Sequence, residues 1–182
     1  YREKARRTKE FTFILNVRLL MPPVKTLRDL EVILAHNPAK KDDARLAFIG
    51  ILRSNWYLDD CPKNLTQARE STKGQGVIEI APEYRAGLTG LKSGMKIWIL
   101  LWFDKARRDI ILQAPGHANG LRGAFALRSP VRPNPISIQA VEITTIDKAS
   151  GVIGIDATDA FDGTPVVDIK PWRHGLDTPS ME

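Results

Sequence analysis

From residue 46 onward the chain repeats one texture: short apolar runs of strand length, each closed by Gly, Pro, Asp or Asn. The runs fall at 46–52, 77–80, 95–103, 110–112, 124–127, 136–146, 152–155 and 166–169. Apolar runs this short, bounded by turn formers, read as strands. So many strands in so little chain predict a closed or nearly closed sheet, because closure removes the edges a flat sheet would expose. Residues 82–91 open with Pro82 and predict one short helix, with proline in its first turn. The domain is expected over 46–172, with an extension at 1–45 and a tail at 173–182.

The extension has its own pattern. Phe11, Phe13, Leu15, Val17 and Leu19 alternate with polar residues, which predicts a strand that Pro22-Pro23 ends. Thr26 is placed to cap a helix running to Leu34, with Leu27, Leu30 and Leu34 on one stripe. Residues 36–45 read as a linker. Residues 1–45 hold 11 Lys/Arg against 6 Asp/Glu, a net of +5 out of +6 for the chain. Basic arms attract polyanions at long range, although charge runs are commonly no more than solvated surface. The run at 11–21 follows basic residues as a secretory signal would. It contains Asn16 and Arg18 and no small-residue cleavage site, so it reads as structure. No apolar run approaches the ~20 residues that span a bilayer. One cysteine, Cys61, excludes an internal disulfide framework and fits a reducing, cytoplasmic setting. No metal site is spelled.

Three segments carry candidate chemistry. "RSPVRPNPISIQA", residues 128–140, holds Pro130, Pro133 and Pro135 with Arg128 and Arg132 between them. Each proline fixes its own φ and biases the preceding residue toward extended geometry, so the loop is stiff. Stiff loops on a rigid scaffold suit binding groups, and arginine offers a planar fork for phosphate or carboxylate. The plainer alternative is a barrel corner whose arginines pair with nearby acids. "DATDAFDGTPVVDIKPW", residues 156–172, holds Asp156, Asp159, Asp162 and Asp168. One aspartate explains a capped turn; four invite a cationic partner, whether Arg128 and Arg132, a metal or a cationic ligand, and could perturb one another's pKa as a general base requires. "IWILLWFDKARRD", residues 97–109, ends a buried strand in aromatic residues and Asp104, then adds Arg107 and Arg108. Such aromatics are usually core; beside a carboxylate they could also cradle a flat purine or a sulfonium. Gly74-Gln75-Gly76 precedes a strand, so it is not a dinucleotide fingerprint.

Taken together, RSPVRPNPIS and DAFDGTPVVDIKPW resemble the two signatures of the TsaA-like family, best known for the TrmO tRNA methyltransferases: RSPxRPNPIG, then D-x-x-DGTP-x-x-DIKPY. "IGILRSNW" at 49–56 resembles the family's first strand, and "LTGLKSGMKIWILLWF" its central helix-to-strand passage. The resemblance spans about 46–172. It implies a mainly β fold, a compact single-sheet barrel with a short helix, usually dimeric. It also implies S-adenosylmethionine as cofactor near the homodimer interface, and methylation of N6 of threonylcarbamoyladenosine next to the tRNA anticodon.

By the same resemblance, Arg128 matches the motif arginine that contacts the cofactor, and Ile138 a contact just after the proline loop. Phe103 and Asp104 fall on a cofactor-touching Phe-His pair. Asn64, Leu65 and Thr66 fall on the loop after the first strand. Asp159, Asp162, Gly163 and Thr164 match the aspartate loop around the cofactor. Asp162 and Asp159 are the candidate catalytic carboxylates, and Arg107, Arg108 and Arg132 the candidate contacts to the anticodon loop. Lys170 matches a motif lysine with no assigned role. The chain departs from the pattern at Asp104 for histidine, Ser137 for glycine, Trp172 for tyrosine and Asn55 for proline. It ends ten residues after Trp172, short of the C-terminal domain of many bacterial members. Those departures leave open a cofactor- or RNA-binding module with little catalysis, or a methyltransferase with another acceptor.

Overall fold

The computed structural model of the protein describes residues 26–116 and 120–178. The strand expected at 11–19 lies outside them. Nine strands form: β1 (Val32–Ile33), β2 (Gly50–Arg53), β3 (Gly76–Ile80), β4 (Lys96–Trp102), β5 (Ile110–Gln113), β6 (Arg122–Gly123), β7 (Ile136–Asp147), β8 (Val152–Ile155) and β9 (Thr164–Pro171). Six close into an antiparallel barrel in the order β2-β3-β8-β7-β4-β9. The expected barrel is therefore present.

Its core follows from strand alternation. On β4, Ile97, Ile99 and Leu101 are fully buried while Lys96, Trp98, Leu100 and Trp102 face outward. Leu52, Ile78, Ile143, Ile153, Ile155 and Val166 bring the other five strands into the same cluster. The short helix expected at 82–91 is a 3-10 helix, Pro82–Leu88, whose Leu88 is buried in that cluster.

β7 and β8 are joined by a tight turn. The Asp147 carboxylate accepts from the amides of Ala149 and Ser150 and from the Ser150 hydroxyl, and these bonds hold it below the usual carboxylate range. Gly151 completes the turn at φ +79°, where an added Cβ would sit 2.8 Å from the Ile80 carbonyl oxygen. Gly151→Ala is expected to cost at least about 1–2 kcal/mol from the left-handed backbone alone, read as a lower urea midpoint.

Beside the barrel stands a three-stranded sheet, β1-β5-β6, which the apolar pattern did not separate from it. Here two expectations are corrected. The helix expected over 26–34 does not form: Leu30 has φ +69°, and Val32 and Ile33 pair with Leu112 and Ile110. Leu27 and Leu30 are exposed, so the leucine stripe has nothing to pack on. Glu31 instead takes the amides of Arg28 and Ala114, and β-branched Val32-Ile33 extends the sheet edge. The strand expected at 124–127 is a 3-10 turn, Ala124–Ala126, because the carbonyls of Ala124 and Leu127 are taken by the Arg132 guanidinium rather than by a neighbouring strand.

No helix among the described residues is long and apolar enough to cross a membrane.

Candidate functional site

The antiparallel pairing brings the ends of β2, β4 and β8 and the starts of β7 and β9 to one end of the barrel. A cleft of about 770 Å³ opens there. It brings together Asn64, Leu65 and Thr66; Phe103, Asp104 and Arg107; Arg128, Arg132 and Ile138; and Asp159, Asp162, Gly163 and Thr164, while Arg108, Asp156, Asp168 and Lys170 lie outside its lining. Its volume lies within the range of small-molecule sites.

The wall at residues 64–66 differs from expectation. Asn64, Leu65 and Thr66 are not loop: Asn64 caps α1 (Leu65–Glu70). The Asn64 side chain accepts from the Gln67 amide at 2.9 Å, and the Gln67 side-chain oxygen accepts from the Lys63 amide at 3.0 Å. Arg69 on this helix reaches across to Asp156 at 3.0 Å and to the Ala140 carbonyl.

The stiff proline loop separates its two arginines by role. Arg132 donates through Nη2 to the carbonyls of Ala124 and Leu127, at 2.6 and 2.7 Å, while its buried Nε has no acceptor among the described residues. Arg128 is exposed and makes no hydrogen bond or ion pair among the described residues. Its guanidinium is therefore an unspent cation of the cleft. Arg107 lines the cleft but is tied to Asp109 in a two-point ion pair, 2.9 and 2.7 Å. Arg108 turns away: it donates to the Pro133 carbonyl and the Asn134 side chain and lies 5.4 Å over the Trp102 ring. It braces the proline loop from outside.

The four aspartates meet neither Arg128 nor Arg132. Asp156 pairs with Arg69, and Asp168 with Lys170 at 2.7 Å, which gives Lys170 a partner. Asp162 accepts from the Ser54 amide at 3.2 Å and stands 4.0 Å from Arg53. Asp159 is different. It is largely buried, and its one side-chain partner is Gln139, which donates from Nε2 at 2.6 Å. Burial pushes its carboxyl above the ordinary value, with bonds from its own backbone and from Gln139 pulling the other way. Among the described residues no group of His, Cys, Asp and Glu is placed to hold a metal.

Gln139 was not visible as a functional residue in the sequence, yet it fixes this carboxylate. It is 3% exposed, on the inward face of β7. Its Oε1 accepts from the Thr158 hydroxyl at 3.0 Å, so its amide must present Nε2 to Asp159. The Thr158 hydroxyl in turn accepts from the Ala160 amide at 3.2 Å. The Trp56 indole donates to the Thr158 carbonyl, and Ser54 Oγ to the Ala160 carbonyl. RSNW, residues 53–56, thus stitches the aspartate loop to β2. Cys61 also enters the cleft and donates to the Asp159 carbonyl at 3.2 Å. Burial first, then the charges of Asp159 and Asp60, pushes its thiol up to about 11, so it stands as a protonated thiol and not a nucleophile.

The cleft thus pairs an open cation with a buried, oriented carboxylate on a floor that includes Leu65, Phe103, Ile138 and Phe161. Known proteins share this frame. The profile of the tRNA-methyltransferase O N-terminal domain matches residues 54–178. A probable S-adenosyl-L-methionine-binding protein of Methanothermobacter thermautotrophicus is 34% identical over 137 residues, covering 75% of this chain and 95% of its own. One from Archaeoglobus fulgidus, with the same description, is 37% identical over 137 residues, 74% of this chain but 35% of the relative. The crystal structure of TrmO from Pseudomonas aeruginosa superposes with a TM-score of 0.56 at 26% identity, over 75% of this chain and 59% of that one. The chain therefore spans about a third of the Archaeoglobus relative and somewhat over half of the solved enzyme. With its profile match covering most of the barrel and both signature loops lining one cleft, this chain belongs to the tRNA-methyltransferase O N-terminal domain family.

Proposed function

We propose that the cleft binds S-adenosylmethionine and that the chain, working from a barrel unit at 46–172, methylates N6 of threonylcarbamoyladenosine beside a tRNA anticodon. The observation that carries this reading is the joint presence, in one cleft of cofactor size, of Arg128, without a partner among the described residues, and Asp159, part-buried and oriented. The names of the relatives support the same cofactor.

The residues fit that group chemically. It carries a carboxylate, two cationic centres, a ribose and a flat adenine. Arg128 supplies an open donor fork for the carboxylate, and the buried Nε of Arg132 a second donor. Asp104, Asp159 and Asp162 supply negative charge and acceptors. Phe103, Leu65 and Ile138 offer apolar surface to the adenine. When bound, the cofactor supplies an electrophilic methyl on a positive sulfur.

The chain's own part is alignment and proton removal. The acceptor N6 is a ureido nitrogen with a delocalised lone pair, so it gains nucleophilicity only as its proton leaves. Asp159 is the carboxylate suited to take that proton: burial makes it a stronger base than an exposed aspartate, and Gln139 fixes where it points. Asp162, committed to Ser54 and Arg53, holds the loop. Arg107 and Arg132 line the cleft and are the candidate contacts to tRNA phosphates, while Arg108 braces the proline loop that carries Arg132. A homodimer would cover the outer face of β4 and β7, where Trp98, Leu100, Trp102, Ile136 and Ile138 are only partly buried or exposed. A cytoplasmic site of action follows from a tRNA substrate.

The test is nucleoside mass spectrometry. The protein is incubated with methyl-labelled S-adenosylmethionine and tRNA carrying threonylcarbamoyladenosine without its methyl. One labelled methyl on that nucleoside is expected. Cofactor bound in calorimetry with no label transferred would overturn the transferase and leave a binding module.

A further inference from the structure

Phe125 is an anomaly that the proposed cofactor chemistry does not use. Its side chain is 81% exposed, in the turn Ala124–Ala126. Exposed phenyl rings normally sit where the chain is free to fold them back, since burying one is favourable. This turn is not free. Ala124 is buried, the Leu127 amide closes the turn on the Ala124 carbonyl, and Arg132 clamps the carbonyls at both ends with one nitrogen. The clamp belongs to the proline loop, so the turn is fixed to the cleft wall. The ring is held out on a rigid support.

The charge around it is one-sided. Residues 110–141 contain no Asp or Glu and three arginines, Arg122, Arg128 and Arg132. Arg122 is exposed and spends one nitrogen on its neighbour's carbonyl, while Arg128 has no partner among the described residues. The adjoining cleft is lined by six Lys/Arg, Lys63 and Lys105 among them, against three aspartates. A rigid aromatic face on a segment whose only charges are cations is the chemistry of single-stranded nucleic acid recognition: bases stack on the ring and phosphates meet the cations. An anticodon loop offers unpaired bases of that kind.

We propose that Phe125 is a stacking platform for an unpaired base of the acceptor RNA, positioned by Arg132 and flanked by Arg122 for a phosphate. This rests on the reading that the acceptor is tRNA. It also moves Arg132 from RNA contact to support of the residue that makes one.

The experiment is an anisotropy titration of the full chain with a fluorescein-labelled tRNA anticodon stem-loop, comparing Phe125→Tyr and Phe125→Leu with the parent. Leucine keeps apolar bulk but loses the flat face; tyrosine keeps both. Phe125→Leu is expected to weaken RNA binding about tenfold, and Phe125→Tyr to match the parent. Cofactor affinity and melting temperature stay at the parent value in both. Arg122→Gln lowers the salt slope of RNA binding, whereas Phe125→Leu leaves it unchanged. RNA binding by the parent and Phe125→Leu with equal affinity would overturn the platform and leave the tRNA reading standing. No RNA binding by the parent, with cofactor still bound, would overturn both. A loss in Phe125→Leu that tracks loss of a dimer in sedimentation would overturn the platform, and assign the ring to a second copy.

Discussion

Asp159→Asn is expected to melt higher than the parent at neutral pH and to transfer methyl groups at least about 100-fold more slowly. Both effects come from the same burial. The Asp159 carboxyl is held above its ordinary value chiefly because it is removed from water. Folding therefore favours its protonated form. Its contribution to stability is full below the ordinary carboxylate pKa of about 3.9 and is lost as pH rises through the raised folded value. Above that value the native state carries a buried carboxylate at a cost. Asparagine keeps the shape and can still accept from Gln139, but never ionises. The gain at pH 7 is read as a melting temperature above the parent's. It should vanish in melts taken below the ordinary carboxyl pKa, where both proteins are neutral at this position. Loss of a general base lowers the rate by roughly 10²-fold or more. Higher stability with lost activity separates a base from a structural residue. A variant that melts lower at pH 7 would show that the Gln139 bond outweighs the cost of burial, and full activity would remove Asp159 from the chemistry.

The barrel was legible because its strands are apolar runs of four residues or more closed by turn formers, and in β4 the inward positions Ile97, Ile99 and Leu101 recur at period two. The second sheet was not, because β1 and β6 are two residues each and carry no period. The stripe of Leu27, Leu30 and Leu34 has helical spacing but no core to face, so pairing with β5 decided the matter. α1 could have been found: Asn64 and Gln67 stand three residues apart, the capping-box spacing of a helix start, and Asn64 caps the Gln67 amide while Gln67 accepts from Lys63 just before the cap. The candidate site was legible through its two signature loops, which line one cleft. What stayed hidden was the division of labour within them. Arg107 and Arg108 are neighbours in sequence, yet one lines the cleft and the other braces the proline loop. Gln139 occupies an inward strand position where a core residue is expected. Only the fold reveals that Thr158 orients its amide toward Asp159.

Arg128→Ala is expected to weaken S-adenosylmethionine binding while leaving the fold untouched. Arg128 is exposed and makes no hydrogen bond or ion pair among the described residues, so its loss should change stability by no more than about 0.5 kcal/mol. Its contribution belongs to the bound state. A charge-assisted contact to a carboxylate is worth roughly 1.5–3 kcal/mol, which is about 10- to 100-fold in Kd. Calorimetry with two ligands isolates the contact. Decarboxylated S-adenosylmethionine has no carboxylate to lose, so parent and variant should bind it alike, while only the parent gains from the intact cofactor. Equal weakening toward both ligands would mean that Arg128 shapes the cleft rather than grips the carboxylate. No weakening toward either would take the arginine out of the cofactor site. The stiffness of the loop decides between these outcomes in advance: Pro130, Pro133 and Pro135 restrict the backbone, Arg108 braces it and Arg132 anchors it to the neighbouring turn. In a loop held at so many points the backbone of Arg128 is fixed while its guanidinium, without a partner among the described residues, is not consumed, so meeting a ligand's charge costs side-chain entropy only.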